Sequence, residues 1–264
     1  MTNRTKVSTV VISDIHVGSE YSKVEELTDF LKSIDCDKLI LNGDIIDGWK
    51  LQRNPFGQWK RSYTELIKVV MKMMEKQGTQ VIYVRGNHDD FLDKLVPFSL
   101  PNIRIVSDYE HISGGKRYYV THGDIFDNIS RRMIWLAKLG DYGYSFLLWL
   151  NKILNNYRCK KGHPYYSFSQ SIKHKVKSAV SYISDFEKEL AAVASGRHYD
   201  GIICGHIHSP ANQYYDTVHY LNSGDWVESM TALIEYTDGT WQIYHHQSDF
   251  ENLQNGIELL NKAS

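Results

Sequence analysis

Two histidines separated by one residue follow an apolar run late in the chain. The run Ile202-Ile203-Cys204 ends at Gly205, and His206 and His208 come next. Residues i and i+2 of an extended chain point the same way, so both imidazoles should face one point at the end of a predicted buried strand. Two imidazoles that face one point are typical of a metal site.

Polar side chains of the same kind follow four other predicted strands, and most have a glycine beside them. In α/β sheets the carboxyl ends of the strands form the ligand crevice, and glycine lets the backbone turn sharply and approach closely there. We therefore expect these side chains to converge. They are Asp14 and His16; Asp44 and Asp47; Asn87, His88 and Asp89; and His122 and Asp124.

The donor types indicate which metals the site would hold. Asp, Asn and His without Cys suit Mn²⁺, Fe or Zn²⁺. If seven of these residues act as ligands, they are too many for one ion. They suit two ions about 3.5–4 Å apart that share a carboxylate, which is the two-metal arrangement for cleaving phosphate esters. Each motif alone could be a surface turn or a satisfied core histidine. Five in order, each at a strand end, favour the metal site.

The segments that precede these motifs predict the elements that position them. Strands alternating with helices predict an α/β sandwich with buried, largely parallel strands, and the late Asp238-Gly239 hairpin adds antiparallel ones. We expect residues 1–264 to form one domain, with a helical insertion over residues 128–195 that contains no strand. Strands are predicted over residues 7–13, 38–42, 79–84, 103–106, 117–122 and 199–204, in "VHYLNSG" and in "TALIEYTDGTWQIYHH", and helices over residues 22–33 and 58–77.

Composition limits the class of protein. The formal net charge is -1 over 264 residues. The chain therefore lacks the overall positive charge with which a protein attracts nucleic acid. The three cysteines, Cys36, Cys159 and Cys204, form no CxxC pair, so we expect neither disulfides nor a cysteine zinc site, and a reducing compartment. No secretory signal and no apolar run of about 18 residues is evident, which predicts a cytoplasmic protein.

Residues 131–177 depart from this neutral balance. They contain ten Lys and Arg residues, and Asp141 is the only acidic residue among them. Large apolar residues are interleaved with the basic ones, which favours a lid that binds lipid or an anionic membrane surface. The alternative is an amphipathic helical pair that packs on the sandwich and exposes its lysines to solvent.

The motif order D-x-H, G-D-x-x-D, G-N-H-D, H-G-D and G-H-x-H, over residues 13–209, resembles the calcineurin-like metallophosphoesterase superfamily. The resemblance implies a four-layer α-β-β-α sandwich with two divalent metal ions, and a histidine, His88, that is no ligand but faces the phosphate and is oriented by Asp47. It also implies the ligands of each ion. Asp14, His16, Asp44 and His208 would hold one ion, Asp44 would bridge, and Asn87, His122 and His206 would complete the second site.

Longer segments are similar to one subgroup, the UDP-2,3-diacylglucosamine diphosphatases and their relatives. The similarity implies an enzyme that cleaves a nucleotide-lipid pyrophosphate into UMP and a lipid 1-phosphate in lipid A biosynthesis, usually with Mn²⁺, at the inner face of the cell membrane. It implies substrate contacts from Asn87, His206, Lys173, Lys177 and Asp127. The segments are "NGDIIDGW", "GNHDDFL", "THGDIFD", "KHKVKSAVSYISDFE" and "NSGDWVES".

The residue at position 88 leaves more than one substrate class open. The diphosphatases carry Arg where this chain has His88, the residue of the wider superfamily. A soluble phosphodiesterase or phosphatase that acts on cyclic nucleotides, nucleic acid ends or phosphoproteins is therefore the alternative. A scaffold without activity is a third reading, which the full ligand set disfavours. For nucleic acid we would expect a basic groove without so many large apolar residues, so we predict no nucleic-acid partner.

Overall fold

The structure describes three ranges of the chain, which belong to two compact units. A computed structural model of the protein describes residues 4–53, 59–124 and 169–254. The chain forms two compact units, of which the first comprises residues 1–124 and 190–264 and the second residues 125–189. The described part of the second unit is residues 169–189.

The first unit contains a seven-stranded and a five-stranded sheet. The order of the first sheet is β12-β11-β1-β2-β3-β5-β4 and that of the second is β6-β7-β8-β10-β9. The strands are β1 Thr5–Ile12, β2 Ile34–Asn42, β3 Gln80–Val84, β4 Phe98–Leu100, β5 Ile103–Val106, β6 Tyr109–Ser113, β7 Lys116–Val120, β8 Gly201–Cys204, β9 Ala211–Tyr215, β10 Val218–Asn222, β11 Thr231–Glu235 and β12 Trp241–His245.

Helices flank these sheets. The helix predicted over residues 58–77 begins at Arg61, changes to a π-helical turn at Met73–Gln77 and ends at Gly78 as expected. A 3₁₀ segment, Asn87–Leu95, follows β3. The α-helices are α1 Val24–Ser33, α2 Gly48–Arg53, α3 Arg61–Lys72, α4 Ser169–Gly196 and α5 His246–Gln254.

Parallel pairing is confined to the middle of each sheet. Strands β1, β2, β3 and β5 pair in parallel, as do β7, β8 and β10. Antiparallel pairs lie outside them, namely β1–β11, β11–β12, β4–β5, β6–β7 and β9–β10. The central strands are parallel as predicted, and β11–β12 is the predicted antiparallel hairpin, whereas the antiparallel pairing of the other outer strands was not predicted. Strand β4, for example, has only three residues, too few to show a strand pattern in the sequence.

The alternation along β1 shows how the layers form. Val11 belongs to the core between the two sheets, together with Ile40, Ile82, Val120 and Ile203. Its neighbours Val10 and Ile12 belong to the core on the opposite face, together with residues of α1 and α3 such as Phe30 and Leu66. Successive residues of a strand point to opposite faces, so one strand supplies both the sheet–sheet and the sheet–helix interface.

The outer face of the second sheet is also covered. Tyr119, Ile202 and Tyr220 alternate with the residues of the inter-sheet core and are buried. The Arg197 guanidinium lies 4.8 Å from the centre of the Tyr119 ring, directly after α4. Leu190, within the part of α4 that belongs to this unit, is also buried. The predicted α/β fold, an α-β-β-α sandwich, is confirmed.

Residues 128–195 were predicted as one helical insertion. Residues 169–196 form the helix α4, whereas residues 125–168 lie outside the described residues, so the insertion stays a prediction. Among the helices that the structure describes, none is both long enough and apolar enough to cross a membrane.

Candidate metal centre

The predicted site residues follow the carboxyl ends of five strands, and backbone hydrogen bonds tie their loops together. Asp14 follows β1, and its N–H donates to the Gly43 carbonyl at 3.0 Å in the loop after β2. The His16 N–H donates to the Asp44 carbonyl at 2.9 Å. In the second sheet, the Gly205 N–H donates to the His122 carbonyl at 3.1 Å. The loops after β1 and β2 are thus joined in one sheet, and those after β7 and β8 are joined in the other.

Several of these residues adopt a backbone conformation that L-amino acids disfavour. Eight non-glycine residues of the described ranges have a positive φ, and five of them are predicted ligands. Such conformations cost free energy and persist where the surrounding structure enforces them, often at functional sites. The five are Asp14 at 52°, His16 at 52°, Asp44 at 53°, His206 at 68° and His208 at 53°.

The Asp44 carboxylate lies at the centre of the cluster. Its Oδ2 is 3.4 Å from His122 Nε2 and 3.9 Å from both His16 Nε2 and His88 Nε2. Its Oδ1 accepts the His88 N–H at 2.8 Å. Burial alone would raise the pKa of Asp44, but the surrounding histidines, above all His122, hold it well below its usual range. A carboxylate in this position could reach two ions at once.

Asp14 contacts the two histidines that follow β8. It is fully buried; its Oδ1 lies 3.2 Å from His208 Nε2, and its Oδ2 accepts the His206 N–H at 3.0 Å. Burial would raise the pKa of Asp14, but the charges of His208 and His122 outweigh this effect and lower it to about 2. Burial would lower the pKa of both histidines, but Asp14 raises that of His208 to about 9, and Asp44 together with Asp14 raises that of His122 to about 10.

These shifts reflect two buried carboxylates that are surrounded by imidazoles. Carboxylates that attract protons to nearby imidazoles also attract divalent cations, and cation binding releases those protons. Ligand atoms of Asp14, His16 and His208 lie within 4.8 Å of one another, and so do those of Asp14, Asp44 and His122. The same distance holds for His16, Asp44 and His88.

Three buried polar atoms make no hydrogen bond of good geometry within the described residues, namely Asp14 Oδ1, Asn87 Oδ1 and His122 Nε2. Asp14 Oδ1 and His122 Nε2 have only the ion-pair contacts to His208 and Asp44 given above. His122 Nδ1 is 2.9 Å from the Asn42 carbonyl oxygen and donates its proton there, so Nε2 can offer a lone pair to a metal ion once its own proton is released. A buried polar atom without a good partner is costly, and a metal ion would satisfy Asp14 Oδ1 and His122 Nε2, which belong to one group of ligand atoms. The donor set therefore fits the expected metals.

Gly43 shows why glycine accompanies these residues. Its φ is +82°, and a Cβ at this position would lie 2.3 Å from His122 Nδ1. Only glycine therefore lets the loop after β2 pass close to the His122 ring.

His88 and Asp47 are adjacent. His88 Nδ1 lies 3.4 Å from Asp47 Oδ1, and His88 is partly exposed. Burial would lower the pKa of His88, but the hydrogen bond to Asp47 and the charge of Asp44 raise it above its ordinary value. Asp47 in turn accepts the Lys50 N–H at 3.0 Å. This pair can hold a proton at the surface of the cluster.

The other predicted residues are placed less completely. The His206 ring centre lies 5.2 Å from that of His122. Lys173 and Lys177 lie on α4 in the second unit, and their side chains are outside the described part. Asp127 lies outside the described residues. Their substrate contacts stay predictions.

Asp89 has a role that sequence reasoning missed. It is buried, and its carboxylate accepts the N–H groups of Ile46 at 3.0 Å, Gly86 at 3.1 Å and Ile45 at 3.4 Å, and the Tyr83 hydroxyl at 2.8 Å. It thus joins the loop after β2 to the loop after β3. The first aspartate of "NHDD" was the available signal in the sequence. An aspartate in a loop, however, can either accept hydrogen bonds from the backbone or bind a metal ion, and the sequence does not distinguish the two roles.

Asp124 of "HGD" likewise pairs within the fold. Its Oδ2 accepts a hydrogen bond from Arg85 at 3.1 Å. It therefore neutralises a cation beside the third-strand loop rather than joining the ligand atoms grouped above.

Known proteins resemble this chain along most of its length. A UDP-2,3-diacylglucosamine hydrolase of Aliivibrio fischeri (strain MJ11) is 23% identical over 257 residues, which cover 91% of this chain and 98% of that protein. Among solved structures, a novel archaeal phosphodiesterase is 14% identical with a TM-score of 0.43, and the phosphoesterase YfcE from E. coli is 14% identical with a TM-score of 0.42. Each covers 90% of this chain and 98% of its own.

The model of the family described as calcineurin-like phosphoesterase matches residues 7–210, which include every strand end that carries the cluster. The chain therefore belongs to the calcineurin-like phosphoesterase family and is a metal-dependent phosphohydrolase.

Proposed function

We propose that the protein hydrolyses a nucleotide-lipid pyrophosphate of the UDP-2,3-diacylglucosamine type to UMP and a lipid 1-phosphate, as in lipid A biosynthesis. The observation that carries the hydrolytic part is the grouping of the Asp14 and Asp44 carboxylates with the His122 imidazole, whose ligand atoms lie within 4.8 Å of one another. The similarity to the Aliivibrio fischeri hydrolase supports the substrate class.

In this proposal the ligands divide as the resemblance implies. Asp14, His16 and His208 would hold one ion, Asn87, His122 and His206 would hold the other, and Asp44 would bridge them. Mixed oxygen and imidazole donors without sulfur suit Mn²⁺, with Fe or Zn²⁺ as alternatives. When bound, the ions supply Lewis acidity to phosphate oxygens and make a water molecule more acidic.

The protein's own contribution to the reaction is positioning and proton handling. His88 Nδ1–H is directed to Asp47, which fixes the ring and leaves Nε2 beside Asp44. A proton held at Nε2 can be donated to the oxygen of the departing group or stabilise charge on the phosphoryl oxygens. Burial would lower the pKa of His88, but the hydrogen bond to Asp47 and the charge of Asp44 raise it, which favours the protonated ring.

A second function is favoured by the His88–Asp47 pair itself. The lipid A diphosphatases carry Arg at the position of His88, so this pair is also compatible with a phosphodiesterase or phosphatase that acts on a soluble substrate. A paired assay separates the two. With Mn²⁺, we expect turnover of UDP-2,3-diacylglucosamine; fast hydrolysis of bis(p-nitrophenyl) phosphate with no turnover of the lipid would establish the soluble alternative.

We further propose that the enzyme works as a peripheral protein on the inner face of the cell membrane. The support is the basic and apolar composition of residues 131–177. Sedimentation with anionic vesicles, compared with neutral phosphatidylcholine vesicles, tests this part on its own. Equal recovery of the protein in the supernatant with both vesicle types would contradict it.

A further inference from the structure

An exposed tryptophan lies against the imidazole that the proposed mechanism places beside the substrate. The ring centres of Trp49 and His88 are 4.3 Å apart, and their planes are inclined by 38°. Trp49 is 43% exposed although it contacts a residue of the site. A large indole that stays exposed at a reactive centre has surface available to a ligand.

The Trp49 ring is held in one orientation. Its Nε1–H donates to Asp90 Oδ2 at 3.0 Å, so α2 is tied to the 3₁₀ segment that begins at Asn87. Gly48 permits the close approach of these two elements, because a Cβ there would lie 2.7 Å from Phe91 Cδ1 and 3.0 Å from the His88 carbonyl oxygen. The ring is therefore fixed before any substrate arrives, which lowers the entropy cost of binding.

Phe91 adds a second aromatic ring at this place. It is 41% exposed and packs against Gly48. The exposed Trp49 ring beside His88, with Phe91 next to Gly48, makes a surface suited to a planar ring, whereas Asp14, Asp44 and the imidazoles make a surface suited to cations and phosphate.

We propose that Trp49 binds the planar base at the nucleotide end of the substrate and so places that end on the His88 side of the metal cluster. This rests on the proposed function, in which the nucleotide is the part of the substrate that carries a planar ring. Stacking of a base on an aromatic side chain tolerates any base, and it strengthens binding by about tenfold or more. The lipid would then extend from the opposite side of the cluster.

The test compares two ligands that differ only in the base. Binding of UMP and of ribose 5-phosphate to the Mn²⁺-loaded protein is measured by calorimetry. We expect the wild type to bind UMP about tenfold more tightly, and Trp49→Leu to lose this difference while its affinity for ribose 5-phosphate stays within about twofold. Trp49→Phe keeps a ring and should retain most of the preference.

Trp59 supplies the matched control. It is 52% exposed and its Nε1–H donates to Thr64, but its ring contact is with Tyr63 rather than with a predicted site residue. Trp59→Leu should leave the preference for UMP unchanged. A wild type that does not discriminate the two ligands overturns the proposal. So does a Trp49→Leu variant that keeps the preference, or one that weakens both ligands equally, since Trp49 would then only support His88.

Turnover of UDP-2,3-diacylglucosamine separates this inference from the proposed function. We expect Trp49→Leu to raise KM about tenfold while kcat changes less than about threefold. If the wild type prefers UMP through Trp49 but does not cleave the lipid substrate, the proposed substrate is wrong and the base-binding role stands. If it cleaves the lipid substrate without preferring UMP, the base-binding role is wrong.

Discussion

Asp44 Oδ2 and His122 Nε2 lie 3.4 Å apart although their residues come from different sheets. Asp44 follows β2 of the seven-stranded sheet, and His122 follows β7 of the five-stranded sheet. The candidate metal centre therefore spans the two halves of the sandwich, at the end where the parallel strands of both sheets terminate.

Replacement of Asp44 by Asn tests the bridging position. We expect bound metal to fall from about two equivalents to about one or fewer, and kcat/KM to fall by about a thousandfold, because several kcal/mol of charge stabilisation is lost. Metal is measured by mass spectrometry after dialysis. Asp37→Asn, at an exposed carboxylate of the same strand, is the control. Two equivalents of metal in Asp44→Asn would place the bridge elsewhere.

His88→Ala separates proton handling from metal binding. If His88 is no ligand, the variant keeps about two equivalents of metal while kcat falls by about 10²–10⁴-fold, the range typical of a general acid or base. Asp47→Asn should show a smaller loss, because it removes only the partner of His88 Nδ1. Loss of metal in His88→Ala would instead make His88 a ligand, which its distance from His16 and Asp44 also allows.

Asp89→Asn tests the clamp between the loops after β2 and β3. An amide cannot accept hydrogen bonds from all the groups that now donate to this carboxylate, so we expect the free energy of unfolding to fall by about 2–4 kcal/mol. Tyr83→Phe removes one of these donors and should cost about 1 kcal/mol. Urea unfolding of both variants measures this. Equal losses in the two would show that the backbone donors contribute nothing.

His219 gives a pH dependence away from the metal centre. Burial lowers its pKa to about 4, and the neutral ring is held by the Tyr118 hydroxyl at 2.9 Å and by Asn212 Oδ1 at 2.7 Å. The unfolded chain binds this proton near pH 6.5, so the contribution to stability is complete above that pH and is lost as pH falls toward 4.

We therefore expect the wild type to lose about 1–2 kcal/mol more stability than His219→Gln between pH 6.5 and 4.5, after allowance for partial exposure. Urea unfolding of both proteins across this range gives the difference, since all other titrating groups are shared. Parallel pH profiles would show that His219 is not held neutral.

Removal of metal should weaken the fold as well as the activity. Ions that join ligands of both sheets bind the folded state only, and a ligand at about one hundred times its Kd stabilises by about 2.7 kcal/mol. We expect EDTA to lower Tm by about 5 °C or more, and Mn²⁺ to restore it. The same titration on Asp44→Asn should give a smaller shift. An unchanged Tm in the wild type would argue against ions that connect the sheets.

The site was more predictable from sequence than the edges of the fold. Apolar runs followed by Asp, Asn or His identify strand ends, and the carboxyl ends of parallel strands must meet, so Asp14, Asp44 and His122 could be brought together without coordinates. Strand β4 could not be found this way, because its three residues are too few to show a strand pattern. Nor could the Trp49–His88 contact, because it depends on the approach of α2 to the segment after β3.

The left-handed backbone at Asp14, His16, Asp44, His206 and His208 restricts which substitutions are informative there. Alanine removes the ligand atom and also tolerates the left-handed backbone poorly. The free energy of unfolding and the affinity for metal would therefore fall together. Asparagine and glycine accept this conformation more readily. Replacement by Asn or Gly at these five positions would therefore report on coordination chemistry with the least disturbance of the chain path.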